Sequence, residues 1–359
     1  MLGIFSRKNR CLGIDVGTTG VKIVELKLDN NMPIFANYAL SYDSGSLLQS
    51  RDLEFLGDQV SEIVGAVLKQ GKFGTKKAVL GIPGFLALIS FIELPEMPQS
   101  EIEQAVRFEA SKYIPTPLDG VSLGWEVVGS FQDKPVEGTQ TRQSSKLQIM
   151  VVTVPKSAVA SLTEVTRNNR LDVAALEIES FAITRCLIGN DRGTFMIVNI
   201  GAKATDFTIV SDGVIRMTRS VDVGGAEISR SIAGGLGIDL QRADKLKKSS
   251  QIDLMNKGDR TALLIYPVVG MILDEIKRIR ELYHKKSPLK KIEKIIFTGG
   301  TSKMNSLVKY FAGELSLECQ LGNPLARIGA EKKYEKVIEE VAPELAVAIG
   351  LALRGLGEK

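Results

Sequence analysis

One pattern occurs twice in this chain, and a polypeptide that uses the same supersecondary unit twice has few ways to fold. Residues 12–28 read LGIDVGTTGVKIVELKL and residues 196–210 read MIVNIGAKATDFTIV. Overlaid, Asp15 falls on Asn199 and Gly17 on Gly201, with Asp29 and Asn30 close to Ser211, Asp212 and Gly213. In each copy an apolar run enters a small-residue loop, leaves as a β-rich run and meets turn residues, which is the pattern of a hairpin. Duplication is one reading, and a chance likeness between two β-hairpins is the other. The exit from Gly20 is Val-Lys-Ile-Val-Glu-Leu, so the loop joins strand to strand. A dinucleotide fingerprint needs a helix there, and neither GxGxxG nor GxxxxGK[ST] occurs. A turn of Gly17, Thr18, Thr19 and Gly20 can nonetheless hold phosphate, because glycine allows close approach and successive N–H groups form an anion nest.

The length of 359 residues predicts two domains or one two-lobed unit. With 44% hydrophobic and 25% charged residues the chain reads as an ordinary globular protein. Its 46 basic and 42 acidic residues leave a net charge of +4, too even a balance for nucleic acid as main partner. A lone histidine, His284, argues against triad hydrolases and HExxH zinc sites. Cys11, Cys186 and Cys319 are far apart with no CxxC pair, so no disulfide framework or thiolate metal site is expected, and the cytoplasm fits. The longest uncharged stretches, 78–92 and 261–273, fall short of the ~18–20 apolar residues that cross a bilayer. The start, MLGIFSRKNR, has its basic residues after its apolar ones and reads as a frayed terminus, with a membrane-surface role for Leu2, Ile4 and Phe5 as the alternative.

Between the hairpins, 52–70 has a helical apolar stripe ending at Gly71, and Ser100 to Glu103 has the form of a capping box opening a helix that ends before Pro115. Residues 130–146 are polar and read as a mobile hairpin tip. From Ile89 to Arg170 the order strand, helix, strands, helix predicts a small α+β subdomain inserted into the first half. A long amphipathic helix is expected over 259–286, and the basic stretch 277–294 reads as a solvated face.

Four segments follow in order: GIDVGTTGVKIVEL at 13–26, VNIGAKATDFTIV at 198–210, IIFTGGTSKMNSLVKYF at 295–311 and APELAVAIGLALR at 342–354. Together they resemble the phosphate 1, phosphate 2, adenosine and connecting motifs of the superfamily of actin, heat-shock chaperones and sugar kinases. Within it, the MLGIF-plus-basic start, Ile82-Pro83-Gly84 and the segments 109–115, 176–182 and 346–354 resemble the PilM family of type IV pilus assembly, itself similar to the cell-division protein FtsA. The resemblance implies an α/β, actin-like two-lobed fold of duplicated ribonuclease H-like domains, with an inserted α+β subdomain in the first lobe. It divides the chain into a first lobe at 1–88, an FtsA-like insertion at 89–170, first-lobe connecting helices at 171–193 and 342–359, and a second lobe at 194–341 with a helical subdomain at about 240–290.

It also implies ATP and Mg²⁺ between the lobes. Gly17, Thr18, Thr19 and Gly20 would cup phosphate oxygens, Lys22 would add a cation, and Asp15 would reach Mg²⁺ through water. Asn199, Gly201, Ala202 and Lys203 would form the second phosphate loop, and Gly299, Gly300 and Thr301 would lie against adenosine. Asp244 and Lys247 match an Ala-Glu-x-x-Lys segment that contacts ribose and adenine in relatives, with aspartate in place of glutamate. Relatives carry an aspartate where this chain has Asn199, and an amide is no base. Binding with at most slow ATPase activity is therefore expected, and no catalytic residue is assigned. The implied partner is the N-terminal cytoplasmic peptide of a PilN-like inner-membrane protein, which would place the chain in the cytoplasm at the inner membrane. Pilus motor ATPases, the platform protein and a homo-oligomer stay open as further partners, and nucleic acid is not expected. The competing functions are a small-molecule kinase of the same superfamily and an FtsA-like filament protein, the latter disfavoured by an ending at Leu-Gly-Glu-Lys359 without an amphipathic anchor.

Overall fold

The computed structural model describes residues 9–42, 57–114, 116–132, 145–249 and 251–357. The frayed start up to residue 8, the first turn of the helix expected over 52–70, Pro115, residues 133–144 of the hairpin tip and the last two residues lie outside them.

The chain opens with β1 (Arg10–Gly17), β2 (Gly20–Asp29) and β3 (Met32–Tyr42), an antiparallel meander, then α1 (Gly57–Gly71) and β4 (Lys77–Ile82). Strand β5 (Leu88–Pro95), α2 (Gln99–Ala110), β6 (Val121–Gln132), β7 (Ser145–Pro155) and α3 (Lys156–Asn168) follow, then β8 (Asp172–Ile178) and α4 (Glu179–Leu187). A second meander, β9 (Thr194–Ile200), β10 (Thr205–Ser211) and β11 (Val214–Val221), leads to α5 (Gly225–Leu236), α6 (Leu240–Lys248) and α7 (Arg260–Lys286). The chain then forms β12 (Lys294–Thr298), α8 (Leu307–Leu315), β13 (Glu318–Leu321), β14 (Gly329–Ala330) and α9 (Glu335–Leu356).

Two sheets share one topology. The first runs β14-β3-β2-β1-β4-β8 and the second β11-β10-β9-β12-β13. Setting β14 aside, each places its meander in the order third, second, first and adds two parallel strands beside the first. The hairpin likeness in the sequence is thus a duplication of a whole ribonuclease H-like sheet. The inner strand β1 is buried at every residue from Cys11 to Val16, as expected for a strand covered on both faces.

Helices α4 and α9 lie between the two sheets and share one apolar core with both. Cys11, Val24 and Val79 of the first sheet and Ile197, Val210 and Ile296 of the second meet Ala182, Ile183, Leu345 and Ile349 there. Close approach depends on small residues, since a Cβ at Gly13 would lie 1.8 Å from the Ala348 carbonyl oxygen and one at Gly350 1.9 Å from that of Ala182. Buried Glu177 of β8 receives Arg185 of α4 through two bonds of 2.7 and 2.8 Å and Arg354 of α9 at 2.8 Å. A buried carboxylate is tolerable on such terms because both oxygens are paired.

The insertion forms a three-stranded sheet, β5-β7-β6, with α2 packed on one face through Ile102, Val106, Ile149 and Val151. Helix α3 joins the first-lobe core instead, where Ala158, Leu162 and Val165 pack with Val60 and Val64 of α1. The expected capping box at Ser100 does not form. Pro98 precedes the first helical residue and no side chain caps it, because winding begins at Gln99 and leaves Ser100 inside the first turn. At α7 the cap is made: Asp259 accepts from the N–H groups of Thr261 and Ala262 at 2.8 and 3.0 Å.

Candidate functional site

The bases of the two hairpins, one from each lobe, lie near each other, for Asp15 of the first acts electrostatically on Asp206 of the second. In the first, the register pairs Asp15 with Lys22 and Gly17 with Gly20, leaving Thr18 and Thr19 as the turn. Asp15 is 3% exposed, and its Oδ2 accepts from Lys22 Nζ at 2.8 Å. Burial pulls the Lys22 pKa down, but Asp15 first, then Glu179 and Glu344, outweigh it and hold the ammonium above its ordinary value. A cation is thus fixed beside the loop.

The second hairpin pairs Asn199 with Asp206 and Ile200 with Thr205, and its loop closes through Gly201 N–H to the Ala204 carbonyl at 2.9 Å. That loop is clamped from behind. Gly225 N–H donates to the Gly201 carbonyl at 2.9 Å, Ala226 N–H to that of Ala202 at 2.7 Å, and Thr301 Oγ1 to Gly201 at 3.3 Å. Gly299 has φ of +88°, and a Cβ there would meet the Ile200 carbonyl oxygen at 2.5 Å and Asn199 Oδ1 at 2.7 Å. Glycine is therefore required where β12 turns out beneath the loop. Gly299 and Thr301 are buried and Gly300 is exposed, so Gly300 presents the flat surface of this turn.

Asp244 and Lys247 stand behind the loop. Lys247 is buried, with its ammonium on the Gly225 carbonyl at 2.9 Å, Ser229 Oγ at 3.0 Å and Asp244 Oδ1 at 2.7 Å. All three protons are used inside the lobe, which makes Lys247 a buttress of the α5 N-terminus. Burial works to raise the Asp244 pKa, but Lys247 and Lys248 outweigh it and hold it at about 2. Lys203 lies in the loop itself, its pKa lowered by desolvation and then by Arg230.

Two carboxylates not anticipated from the sequence complete the centre. Glu179 opens α4, and its pKa is raised well above the carboxylate range by burial, then by Asp15 and Asp206, against Lys22 and the Gly84 N–H. Asp206 is pushed up to about 6 by burial, with the nearby Ser220 hydroxyl opposing and Asp15 adding repulsion. A Cβ at Gly84 would lie 3.2 Å from Asp206 Oδ1, so the loop after β4 in the first lobe touches this second-lobe carboxylate. Beside them lies a cavity of about 260 Å³ lined by Phe85, Glu179, Ser180, Asn199, Asp206 and Ser220, among others.

A family model for the type IV pilus assembly protein PilM matches residues 13–356. The chain belongs to the PilM family. It is 24% identical over 230 residues to the cell division protein FtsA of Pseudomonas aeruginosa, covering 58% of this chain and 54% of that protein. The chain thus spans about half the length of that curated relative. Among solved structures it is similar to a PilM-PilN type IV pilus biogenesis complex, with a TM-score of 0.79 and 24% identity over 96% of this chain and 98% of that one. It is also similar to MreB 5 of Spiroplasma citri bound to AMPPNP, with a TM-score of 0.51 and 12% identity over 95% and 94% of the two chains. These likenesses establish the actin-like two-lobed fold.

In this PilM-family chain the cross-strand partner of the first-motif acid is Lys22, and its counterpart in the second motif is Asp206. The acid stands on the entering strand in the first motif and on the leaving strand in the second. The apolar-polar alternation of TDFTIV marks Asp206 as facing the side opposite Phe207, and that is the signal a sequence reading has for it. Glu179 carries no such mark, because its place depends on where α4 docks. Among the described residues no group of three or more His, Cys, Asp or Glu is arranged to hold a metal ion directly. Asp15, Glu179 and Asp206 lie near one another, a set suited to Mg²⁺ held through its own waters, and both loops are tight turns that need small residues: a Cβ at Gly17 would lie 3.2 Å from the Gly20 carbonyl oxygen, and one at Gly201 2.9 Å from that of Ala204. Among the described residues no helix is long and apolar enough to cross a membrane.

Proposed function

We propose that this PilM-family chain binds ATP with Mg²⁺ between its lobes and acts in type IV pilus assembly at the cytoplasmic face of the inner membrane. There it would capture the N-terminal cytoplasmic peptide of a PilN-like membrane protein. The observation that carries the nucleotide reading is the pair of small-residue loops, one with Asp15 and Lys22 at its base and the other with Asn199 and Asp206, whose bases lie near each other. In this reading the N–H groups of residues 17–20 and 201–203 hold phosphate oxygens, Lys22 offsets their charge, and Gly300 underlies the adenosine. Mg²⁺ would neutralise the phosphates, with Asp15 holding its waters and Glu179 and Asp206 facing the same space. Hydrolysis would be slow at most. Asn199 offers no basic oxygen to take a proton from the attacking water. The MreB structure bound to AMPPNP supports nucleotide binding by this fold.

Asp15→Ala with Lys22→Ala should weaken MgATP binding by at least ~1–2 kcal/mol, the scale of charged hydrogen bonds, and calorimetry showing unchanged affinity would remove the site assignment.

The peptide reading is supported by family membership and by the insertion, whose outer strands β5 and β6 are sheet edges. An extended peptide can add to such an edge and seat apolar side chains in adjoining pockets. Leu88, 38% exposed at the junction of insertion and first lobe, offers such a contact. Leu88→Asp should lower affinity for a fluorescent partner peptide about tenfold or more, and unaltered binding would exclude this junction.

A further inference from the structure

The face of the inserted sheet turned away from α2 spans both lobes. Along β7, Ile149 and Val151 pack toward α2, so Gln148, Met150, Val152 and Val154 point the other way. At one end Val154 lies in the first-lobe core with Val152 packed against it. At the other end the side-chain carbonyl of Gln148 accepts from Arg216 Nη1 of β11, in the second lobe, at 2.8 Å. From Gln148 to Val154 the strand covers roughly 20 Å at ~3.3 Å per residue, and it is paired on both sides, by β5 and by β6. Opposite Gln148 on β6 stands Gly129, next to a bulge. Leu88 and Ile89 of β5 and Thr218 and Ser220 of β11 wall the cavity beside Asp206, so the span passes directly over the contact between the lobes.

We propose that the inserted sheet is a strut between the lobes, seated on the first by Val152 and Val154 and latched to the second by Arg216 on Gln148, so that nucleotide affinity depends on the latch. The nucleotide half of this inference rests on the reading given under Proposed function. A stiff strand fixed at one end cannot follow a rotation of the second lobe without losing its contact at the other. The latched arrangement is also the one in which Gly84 of the first lobe lies against Asp206 of the second. A ligand held by both loops therefore favours the latch, and by reciprocity the latch favours the ligand. Whatever seats on the insertion's edges is coupled to the nucleotide by the same strut.

The test is a cycle of Arg216→Ala, Gln148→Ala and the double variant, none of them in the nucleotide site, with MgATP affinity read by calorimetry. Each is expected to weaken binding about 3- to 10-fold, the scale of one hydrogen bond to a charged donor, and the double variant no more than either single one. Gln148→Glu keeps an acceptor and should restore affinity. Equal affinity in all variants overturns the latch, as does a double variant equal to the product of the singles. Spin labels at Gln104 and Lys257, in a background with Cys319→Ser, provide a readout without nucleotide. A broader insertion-to-lobe distance distribution in Arg216→Ala than in the parent supports the strut, and identical distributions overturn it. A parent that binds no MgATP refutes the nucleotide reading, and the distance distributions then decide the strut on their own.

Discussion

Replacing Asp206 by asparagine should stabilise the ligand-free protein at pH 8 and leave it unchanged at pH 4. Asp206 sits between the lobes with its pKa at about 6 against an ordinary value of 3.8, displaced by burial and by Asp15. The folded state therefore holds this proton more tightly than the unfolded chain. The carboxylate's contribution is at its best below pH 3.8, falls as pH rises, and reaches its full penalty above about pH 6. Each tenfold displacement of an ionisation constant is worth about 1.4 kcal/mol, so the penalty at pH 8 is about 2–3 kcal/mol. Asparagine keeps the shape but brings no charge to Glu179 and Asp15. Over a chain of 359 residues that predicts a rise in Tm of roughly 3–4 °C at pH 8 and almost none at pH 4. Differential scanning calorimetry in the presence of a chelator, to keep divalent ions from the carboxylates, measures it directly. A variant that is less stable than the parent at pH 8, or equally shifted at both pH values, would refute the picture of Asp206 as a strained anion. The same variant should bind MgATP more weakly, the usual exchange when a strained group serves a ligand.

Lys247→Met removes three hydrogen bonds at the α5 N-terminus while keeping much of the side-chain volume, and should cost about 2–4 kcal/mol of stability, read as a lower chemical-denaturation midpoint. Its loss of nucleotide affinity should be secondary, recovering at low temperature where the lobe is intact. Gly13→Ala places a methyl 1.8 Å from the Ala348 carbonyl oxygen, backbone against backbone, and should separate α9 from β1. The expected result is insoluble protein or a Tm lowered by about 4 °C or more, consistent with overpacking of about 3 kcal/mol or more, and a folded variant of normal Tm would show that the helix is not held so close.

Much of this protein is written locally. Strands β1, β2, β9 and β10 follow from β-branched runs broken by small residues, a preference each segment carries wherever it is placed. Their likeness to one another suffices to suggest two equivalent sheets, and the Asp259 cap and apolar spacing specify α7. The candidate loops were legible for the same reason, since a glycine turn that can approach phosphate is a property of a few adjacent residues. Distance in the chain is what hid the rest. That Asp206 opposes Asn199 depends on a four-residue loop where the first hairpin has two, and register is settled by which faces are buried in the finished sheet. Glu179 comes to the centre because α4 is held between two sheets by Glu177, Arg185 and Arg354, an arrangement that no single segment contains. The role of Lys247 was likewise settled by packing, which spends all its donors inside the lobe. Local propensity determined the elements and the loops between them, whereas the ionisation of the carboxylates and the contact of the insertion with both lobes came from tertiary structure. Electrostatic and packing energies depend on distance in space, and only the folded chain sets those distances.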